Sequence, residues 1–246
     1  RMSWMFPRSS GIRAPETREW ILGALYLPVF LFFLNFAILA YFPALGFPLT
    51  EPRNYFFANL LYMTVNFAVM LLIFRRTLWQ SLREFEGKML LSVLIGFGMC
   101  YGANLVLTTA YTVLDIMPEN YNQEAVNSLL GGYPLAMTLC TVVLAPLAEE
   151  CLFRGVLFAP LARRCLPAAY ALSMFLFAGM HVFQFLGSMT AANTILCLSL
   201  YLPASFSLCW VYQKTGNIWA GIFLHMFINF QSVLASLLRS LMQAFL

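Results

Sequence analysis

Ionisable side chains interrupt the long apolar runs in the second half of this 246-residue sequence. Glu149 and Glu150 lie in one run, while His181 and His225, the two histidines of the chain, lie in two others. A carboxylate or imidazole inside an apolar span is costly unless it is paired or functional. Because a carboxylate and an imidazole can exchange protons with water or a substrate, these residues together predict a functional site at membrane depth.

Helix spacing predicts which of these groups are neighbours. Glu150 and Arg154 are four residues apart and share a helix face, so we expect a buried ion pair that supports the structure. Glu149 is rotated by about 100° from Glu150 and is left for another partner. Phe177 and His181 also share a face, where the phenyl ring either walls the site or belongs to ordinary core packing.

His225 and Asn229 repeat the spacing of four residues. Their imidazole and carboxamide are predicted to lie side by side, where both could donate hydrogen bonds to one oxygen, as an oxyanion requires. Helix rise places Glu149, His181 and His225 at similar depths, roughly 15–20 Å from the nearest basic connections. Pro146, three residues before Glu149, is expected to open the helix locally or simply to be tolerated as a kink.

The elements that must position these residues are predicted to be membrane-spanning helices. The sequence is 61% hydrophobic and 10% charged, which predicts an all-α polytopic transmembrane bundle of seven to eight helices in one integral membrane domain, residues 1–246. Residues 20–114 would form three N-terminal spans, and residues 134–234 would form the catalytic core helices. The apolar runs predict spans at Trp20–Tyr41, Tyr55–Phe74, Met89–Leu114, Pro134–Leu161, Pro167–Leu186, Ala191–Tyr212 and Asn217–Leu234, the last with a possible continuation to Leu246.

Basic residues alternate between the predicted connections. They are concentrated before the first run, after the second, after the fourth and after the sixth: Arg1, Arg8, Arg13, Arg18, Arg75, Arg76, Arg83, Lys88, Arg163, Arg164 and Lys214. The positive-inside rule therefore predicts a multi-pass protein with a cytoplasmic N-terminus. Seven spans would put the C-terminus outside, unless an eighth helix or a surface-lying tail follows. The small net charge of +4 makes nucleic acid an improbable partner, and the lipid bilayer is the expected one.

Two further patterns carry structural rather than chemical information. The six cysteines lie singly, mostly in apolar runs, and are predicted to be small buried apolar residues rather than a disulfide framework or thiolate metal site. Gly98 and Gly102 form a Gly-x-x-x-Gly pattern, which predicts close helix packing in the third span.

Three motifs on successive runs resemble those of a known family. Glu149-Glu150-Cys-Leu-Phe-Arg154, Phe177-Ala-Gly-Met-His181 and His225-Met-Phe-Ile-Asn229 are similar to the motifs of the CAAX protease and bacteriocin-processing (CPBP, or Abi) intramembrane peptidases, which include the Rce1-like endopeptidases of prenylated proteins.

The resemblance implies a role for each motif residue. Glu149, aided by His181, would activate water, and His225 with Asn229 would stabilise the tetrahedral oxyanion. Glu150 and Arg154 would support the site. The substrate would be a membrane-associated protein or peptide, prenylated or not, and no cofactor is required.

Alternatives to this mechanism differ in cofactor or class. Glu149, His181 and His225 could instead hold a catalytic zinc ion, although no His-Glu-x-x-His pair is present. The two histidines could bind haem in a redox protein, or serve a quinone site. The polar cluster could also belong to a non-catalytic membrane scaffold or a bacteriocin-immunity protein.

Overall fold

The computed structural model describes residues 12–244, and within them the chain forms nine helices and no strand. Seven helices are long and apolar enough to cross a membrane. We number all nine in chain order: α1 Thr17–Ala44, α2 Pro52–Ile73, α3 Arg75–Arg83, α4 Gly87–Val113, α5 Tyr121–Gly132, α6 Pro134–Ala162, α7 Leu166–Ser188, α8 Ala191–Thr215 and α9 Ile218–Ala244. The predicted all-α polytopic fold is confirmed, and the protein is an integral, multi-pass membrane protein.

The spans follow the apolar runs, with differences at their ends. Helix α9 continues to Ala244 instead of ending at Leu234, while Leu246, Arg1 and Arg8 lie outside the described residues. Helix α7 is α-helical from Leu166 to Val182 and then tightens into a 3₁₀ turn. The two short helices, α3 and α5, are too short to span.

The basic connections gather at one end of the bundle. Arg163 donates to the carbonyl of Ile12 at 2.9 and 3.1 Å, which brings the segment before α1 to the end of α6. At the same end, Trp219 donates to the carbonyl of Leu78 at 2.8 Å, which joins the start of α9 to α3. We call this end, with its connections at residues 75–88, 163–165 and 214–217, the basic end. Helix α5 lies at the opposite end, because α4 starts at the basic end and crosses the bundle before α5 begins.

Helix α6 occupies the centre of the bundle. In its most apolar stretch of 18 residues, half of the residues are buried. The same fraction is 17% in α1 and in α4, which face outward. Every residue from Pro146 to Val156 is buried, so this part of α6 is surrounded by other helices. Two π-helical segments interrupt it, Cys140–Leu144 before Pro146 and Cys151–Phe158 after Glu150. Such widened turns are frequent at functional sites.

Close helix packing occurs at a glycine other than the predicted pair. A Cβ at Gly98 or Gly102 would meet no atom of residues 12–244 within 4 Å, so the prediction of close packing for that pattern is wrong. A Cβ at Gly96 would lie 2.5 Å from Val211 of α8 and 2.9 Å from Leu224 of α9. The prediction failed because the glycine spacing does not reveal which face of α4 points inward. Gly98 and Gly102 lie on the outward face of this helix.

The cysteines largely follow their prediction. Among the described residues all six are free thiols, and five of them are buried. The exception is Cys165, which is exposed in the connection between α6 and α7. Its position outside the apolar runs accounts for the difference.

A buried carboxylate outside the motifs fastens α1 to α3. Glu19 is 4% exposed, and its Oε1 accepts hydrogen bonds from the backbone amides of Arg76 at 3.0 Å and Thr77 at 3.2 Å. The Thr77 hydroxyl donates to the other carboxylate oxygen. The first turn of a helix has free amides and a partial positive charge, so Glu19 caps α3 from a neighbouring span.

We expect Glu19→Ala to lower the free energy of unfolding by about 1–3 kcal/mol, because it leaves buried amides of α3 without an acceptor. The measurement is denaturant titration of the purified protein in detergent micelles. Glu16→Ala is the control, since the one described side-chain contact of Glu16 is an exposed ion pair with Arg76, whose removal should have little effect. Equal losses in the two variants would contradict the capping role.

Candidate active site

The Glu150–Arg154 ion pair predicted from helix spacing is present at the centre of α6. Nε of Arg154 lies 3.2 Å from Oε2 of Glu150, and neither side chain has any exposed surface. Nη2 of Arg154 also donates to the backbone carbonyl of Ser205 at 3.3 Å, which ties α6 to α8. A buried charge is tolerated only when it is paired and hydrogen-bonded, so each partner requires the other.

His225 of α9 lies between the two carboxylates of α6. Its Nδ1 donates to Oε1 of Glu150 at 2.9 Å, and its Nε2 lies 3.8 Å from Oε2 of Glu149. Gly221, one turn before His225, makes this approach possible, because a Cβ there would lie 3.1 Å from Oε2 of Glu150. Spacing within α6 could not reveal this contact, since it joins residues 75 positions apart.

The charges of this cluster constrain its protons. Arg154 balances Glu150, which leaves Glu149 and His225 as the remaining ionisable neighbours. Burial penalises a net charge, so a proton shared between Glu149 and His225 is the arrangement that keeps the cluster neutral. If His225 carries the proton, a charged imidazole lies beside two carboxylates. If Glu149 carries it, a neutral carboxyl group lies beside a neutral imidazole. Such a pair can move a proton without exposing a net charge to lipid.

His181 of α7 is held by different contacts. Its Nδ1 donates to the carbonyl of Phe177 at 2.8 Å, so in the neutral ring Nε2 is an unprotonated acceptor. The imidazole is half-buried and is stacked on Tyr201 of α8, with ring centroids 4.5 Å apart. No hydrogen bond or ion pair joins His181 to Glu149, both of which are described. The imidazole beside Glu149 is therefore that of His225, whereas the resemblance implied His181 as the partner of Glu149.

Phe177 connects the two histidines. Its ring centroid lies 4.9 Å from that of His181 and 5.5 Å from that of His225. The guanidinium carbon of Arg154 lies 4.8 Å from the same centroid, within the range of a cation–π contact. Phe177 is 2% exposed, so it fills the space between the polar groups and excludes water from Arg154.

Asn229 forms a hydrogen bond to α6. Its Nδ2 donates to the backbone carbonyl of Thr141 at 2.8 Å. That carbonyl lies in the π-helical segment, where the amide of Ala145 donates to Cys140 and position 146 is a proline without an amide hydrogen. The carbonyl of Thr141 therefore receives no backbone hydrogen bond from residue 145, the α-helical donor, or from residue 146, the π-helical donor. The side chain of Asn229 supplies the missing hydrogen bond. The second N–H of the carboxamide stays free for another acceptor.

The geometry of a metal site differs from this arrangement. Among residues 12–244 no three His, Cys, Asp or Glu side chains are grouped so that they could hold a metal ion. Glu149 and His225 approach each other, but His181 is turned toward Tyr201 and the Phe177 carbonyl. The zinc ligand set considered from the sequence is thus not assembled in this conformation.

Sequence reasoning missed four residues that shape the site. Gly221 and Thr141 carry no chemical signal by themselves, and Ser205 contributes through its backbone. Tyr201 lies in an apolar run, where a tyrosine is unremarkable. The spacing of Thr141 and Pro146, five residues apart, is the one signal in the sequence that could have located an unpaired carbonyl once a π-turn was considered.

Comparison with known proteins shows that the same region is similar to membrane peptidases. Residues 131–231 match the family described as type II CAAX prenyl endopeptidase Rce1-like, and all three motifs lie inside that range. The chain is 28% identical over 166 residues to the Bacillus subtilis (strain 168) protein named "Putative membrane peptidase YdiL". That similarity covers 65% of this chain and 64% of the relative, so this chain spans a little under two thirds of the relative's length. No solved structure matches the chain significantly.

A double-mutant cycle tests the link between Asn229 and Pro146. Asn229→Ala should lower the free energy of unfolding by about 1–3 kcal/mol, because the carbonyl of Thr141 loses its donor. In a Pro146→Ala background the new amide can donate to Thr141, so the cost of Asn229→Ala should fall, with a coupling energy of about 1 kcal/mol. Detergent-phase unfolding of the four proteins gives the coupling.

Ser232→Ala, in the same two backgrounds, is the matched control for that cycle. Ser232 lies one turn further along α9 and donates to Gln123 at 3.2 Å, away from Pro146. Its cost should be the same with and without the proline. Independent costs for Asn229→Ala and Pro146→Ala would show that the carbonyl of Thr141 has another donor.

Proposed function

We propose, because this chain belongs to the CPBP family of membrane peptidases, that it is an intramembrane endopeptidase that hydrolyses a peptide bond of a membrane-associated protein or peptide. The observation that carries the proposal is the position of His225 between Glu149 and Glu150 in a buried cluster. A structural ion pair needs only Glu150 and Arg154. The additional carboxylate, whose Oε2 has no hydrogen-bond donor among the described residues, is what a reaction on water requires.

Glu149 is the general base of the proposed reaction. Its carboxylate takes a proton from water as the water oxygen attacks the carbonyl carbon of the scissile bond. His181 assists, because its unprotonated Nε2 can accept a hydrogen bond from the same water while Nδ1 remains tied to Phe177. The proton held on Glu149 then passes to the departing amine nitrogen, so that the carboxylate is regenerated at the end of the cycle.

His225 and Asn229 stabilise the oxyanion in this proposal. With Nδ1–H bonded to Glu150, a doubly protonated His225 ring can donate from Nε2–H to the developing negative charge. Asn229 keeps one N–H on Thr141 and offers the second to the same oxygen. The two imidazoles thus take opposite roles in this proposal: neutral His181 accepts a hydrogen bond at Nε2, and doubly protonated His225 donates one.

Glu150 and Arg154 support the site in this proposal. Glu150 orients His225, and Arg154 neutralises Glu150 so that the imidazole is not held by an unbalanced charge. The orientation in the membrane follows from the basic end, which we place in the cytoplasm by the positive-inside rule. Helix α5 and the C-terminal end of α9 then lie on the opposite side.

Glu149→Gln should abolish cleavage while preserving the fold, because the described contacts of Glu149 include no hydrogen bond that the amide would lose. We expect cleavage to fall by about 10²- to 10⁴-fold, the usual contribution of a general base. Mass spectrometry of membrane peptides from cells with the intact protein or the variant identifies the new termini. Glu86→Gln, at an exposed carboxylate of the basic end, is the control and should retain the intact pattern.

Identical peptide patterns for the intact protein and Glu149→Gln, at equal membrane levels, would refute the peptidase proposal and favour a scaffold. A second test separates the proposed mechanism from a zinc mechanism that uses Glu149, His181 and His225. Cleavage should survive dialysis against a strong chelator, and elemental analysis should find far less than one zinc per chain. Loss of cleavage on chelation with recovery on adding zinc would establish the metal mechanism instead.

A further inference from the structure

Tyr201, which lies outside the three motifs, restrains the orientation of His181. Their rings are stacked with centroids 4.5 Å apart and an interplanar angle of 22°. Phe177 lies 4.9 Å from the same imidazole at 48°, and the carbonyl of Phe177 accepts from Nδ1. With the ring plane set by Tyr201 and one nitrogen anchored, the direction in which Nε2 points is determined.

The hydroxyl of Tyr201 reaches helix α5. It donates to Oδ1 of Asn120 at 3.0 Å and accepts from Nδ2 of Asn122 at 3.2 Å. Asn120 is the residue that caps α5, since the same oxygen accepts from the backbone amide of Gln123 at 3.1 Å. One side chain of α8 therefore contacts both the proposed base-assisting histidine and the first turn of α5.

Helix α5 lies across the spans that carry the site. Ser232 and Ser236 of α9 donate to Gln123 at 3.2 Å and to Asn127 at 2.8 Å, beyond His225 and Asn229 along the helix. At its start, Tyr121 lies over Phe185, just after His181 in α7, with ring centroids 6.1 Å apart. We call α5 the cap helix. Its described side-chain hydrogen bonds to α8 and α9 are neutral, and each can be exchanged at small cost for a bond to water or to a peptide.

The two sides of the site differ in packing. Toward the basic end, Leu152, Phe153 and Phe158 of α6 have no exposed surface. On the cap-helix side, His181 and Tyr201 are half-buried, as are Asn122 and Gln123. A peptide that approaches Nε2 of His181 from within the bundle would have to displace a close-packed aromatic core, whereas one that approaches past the cap helix has to replace neutral hydrogen bonds.

We propose that Tyr201 is a positioning residue that couples the cap helix to His181. Its ring sets the imidazole, and its hydroxyl holds the first turn of the cap helix over the site. An entering peptide displaces that turn, and the return of the Asn120 and Asn122 contacts to the hydroxyl closes the site again. This inference rests on the proposed function for its meaning in catalysis, while the coupling itself is a property of the folded protein.

The test uses the fact that His181 and His225 are the only histidines in the sequence. Diethyl pyrocarbonate modifies unprotonated imidazole. The protein is modified in detergent, and mass spectrometry of its peptides after digestion reports the rate at each histidine. Tyr201→Phe keeps the stacked ring but loses both hydrogen bonds to the cap helix, so the rate at His181 should rise by about fivefold. Asn122→Ala removes one of these bonds from the other side and should raise the rate in the same direction.

Tyr111→Phe is the matched control. The Tyr111 hydroxyl also bonds to α8, at Ser199, with a distance of 2.6 Å, but makes no contact with the cap helix or His181 among its described contacts. The rate at which His181 is modified in Tyr111→Phe should equal that in the unaltered protein. Equal rates in Tyr201→Phe and Tyr111→Phe, or no increase in Asn122→Ala, would overturn the coupling.

Cleavage of a farnesylated CaaX peptide supplies the catalytic readout. Tyr201→Phe should change KM more than kcat, because the stacked ring is kept and only the closure of the cap helix is altered. Tyr201→Leu should lower kcat by about 10²-fold, because the imidazole loses its fixed orientation. Equal effects of Phe and Leu on kcat would overturn the positioning role. If the unaltered protein cleaves no farnesylated CaaX peptide although the modification rates differ as expected, such peptides are not its substrate and the coupling stands; the comparison of membrane peptides with Glu149→Gln then decides the proposed function.

Discussion

The carboxylate of Glu150 is the point on which the arrangement depends. It has no exposed surface, and it is held between the guanidinium of Arg154 in its own helix and the imidazole of His225 in α9. An unpaired charge at this depth would cost more free energy than most single contacts supply, so the three groups must stay together. Their geometry determines how α6 and α9 are aligned, and that alignment brings Nε2 of His225 to within 3.8 Å of Glu149.

Local departures from ideal helix geometry make this alignment possible. Gly221 leaves room for Glu150 against α9, and the π-helical turn before Pro146 leaves the carbonyl of Thr141 for Asn229. Each departure would weaken an isolated helix, since a glycine or a missing backbone hydrogen bond is unfavourable there. Both are compensated by contacts across the same helix pair. The interface between α6 and α9 is therefore specified by backbone exceptions as much as by charge.

The bundle is also asymmetric along the membrane normal. The basic end is closed by contacts such as Glu19 with α3 and Arg163 with the segment before α1. The opposite end is covered by the cap helix, whose described side-chain contacts to the site-bearing helices are neutral hydrogen bonds and ring stacking. The cited contacts of the basic end thus involve charged groups, whereas those of the cap helix are neutral hydrogen bonds and ring stacking, and water or a peptide can replace such hydrogen bonds at small cost.

The sequence by itself predicted seven to eight spanning helices, their approximate bounds and the Glu150–Arg154 pair, because hydropathy and a spacing of four residues act within a single helix. It also singled out Glu149, Glu150 and His225, which the structure brings together, since ionisable groups in apolar spans are rare and costly. Only the tertiary structure decided that His225 is the neighbour of both carboxylates, that Asn229 binds the carbonyl of Thr141, and that Tyr201 stacks on His181. These contacts join different helices, and their partners depend on helix rotation, on π-turns and on small residues at the interface. Periodicity along one helix carries no information about the helix that packs against it.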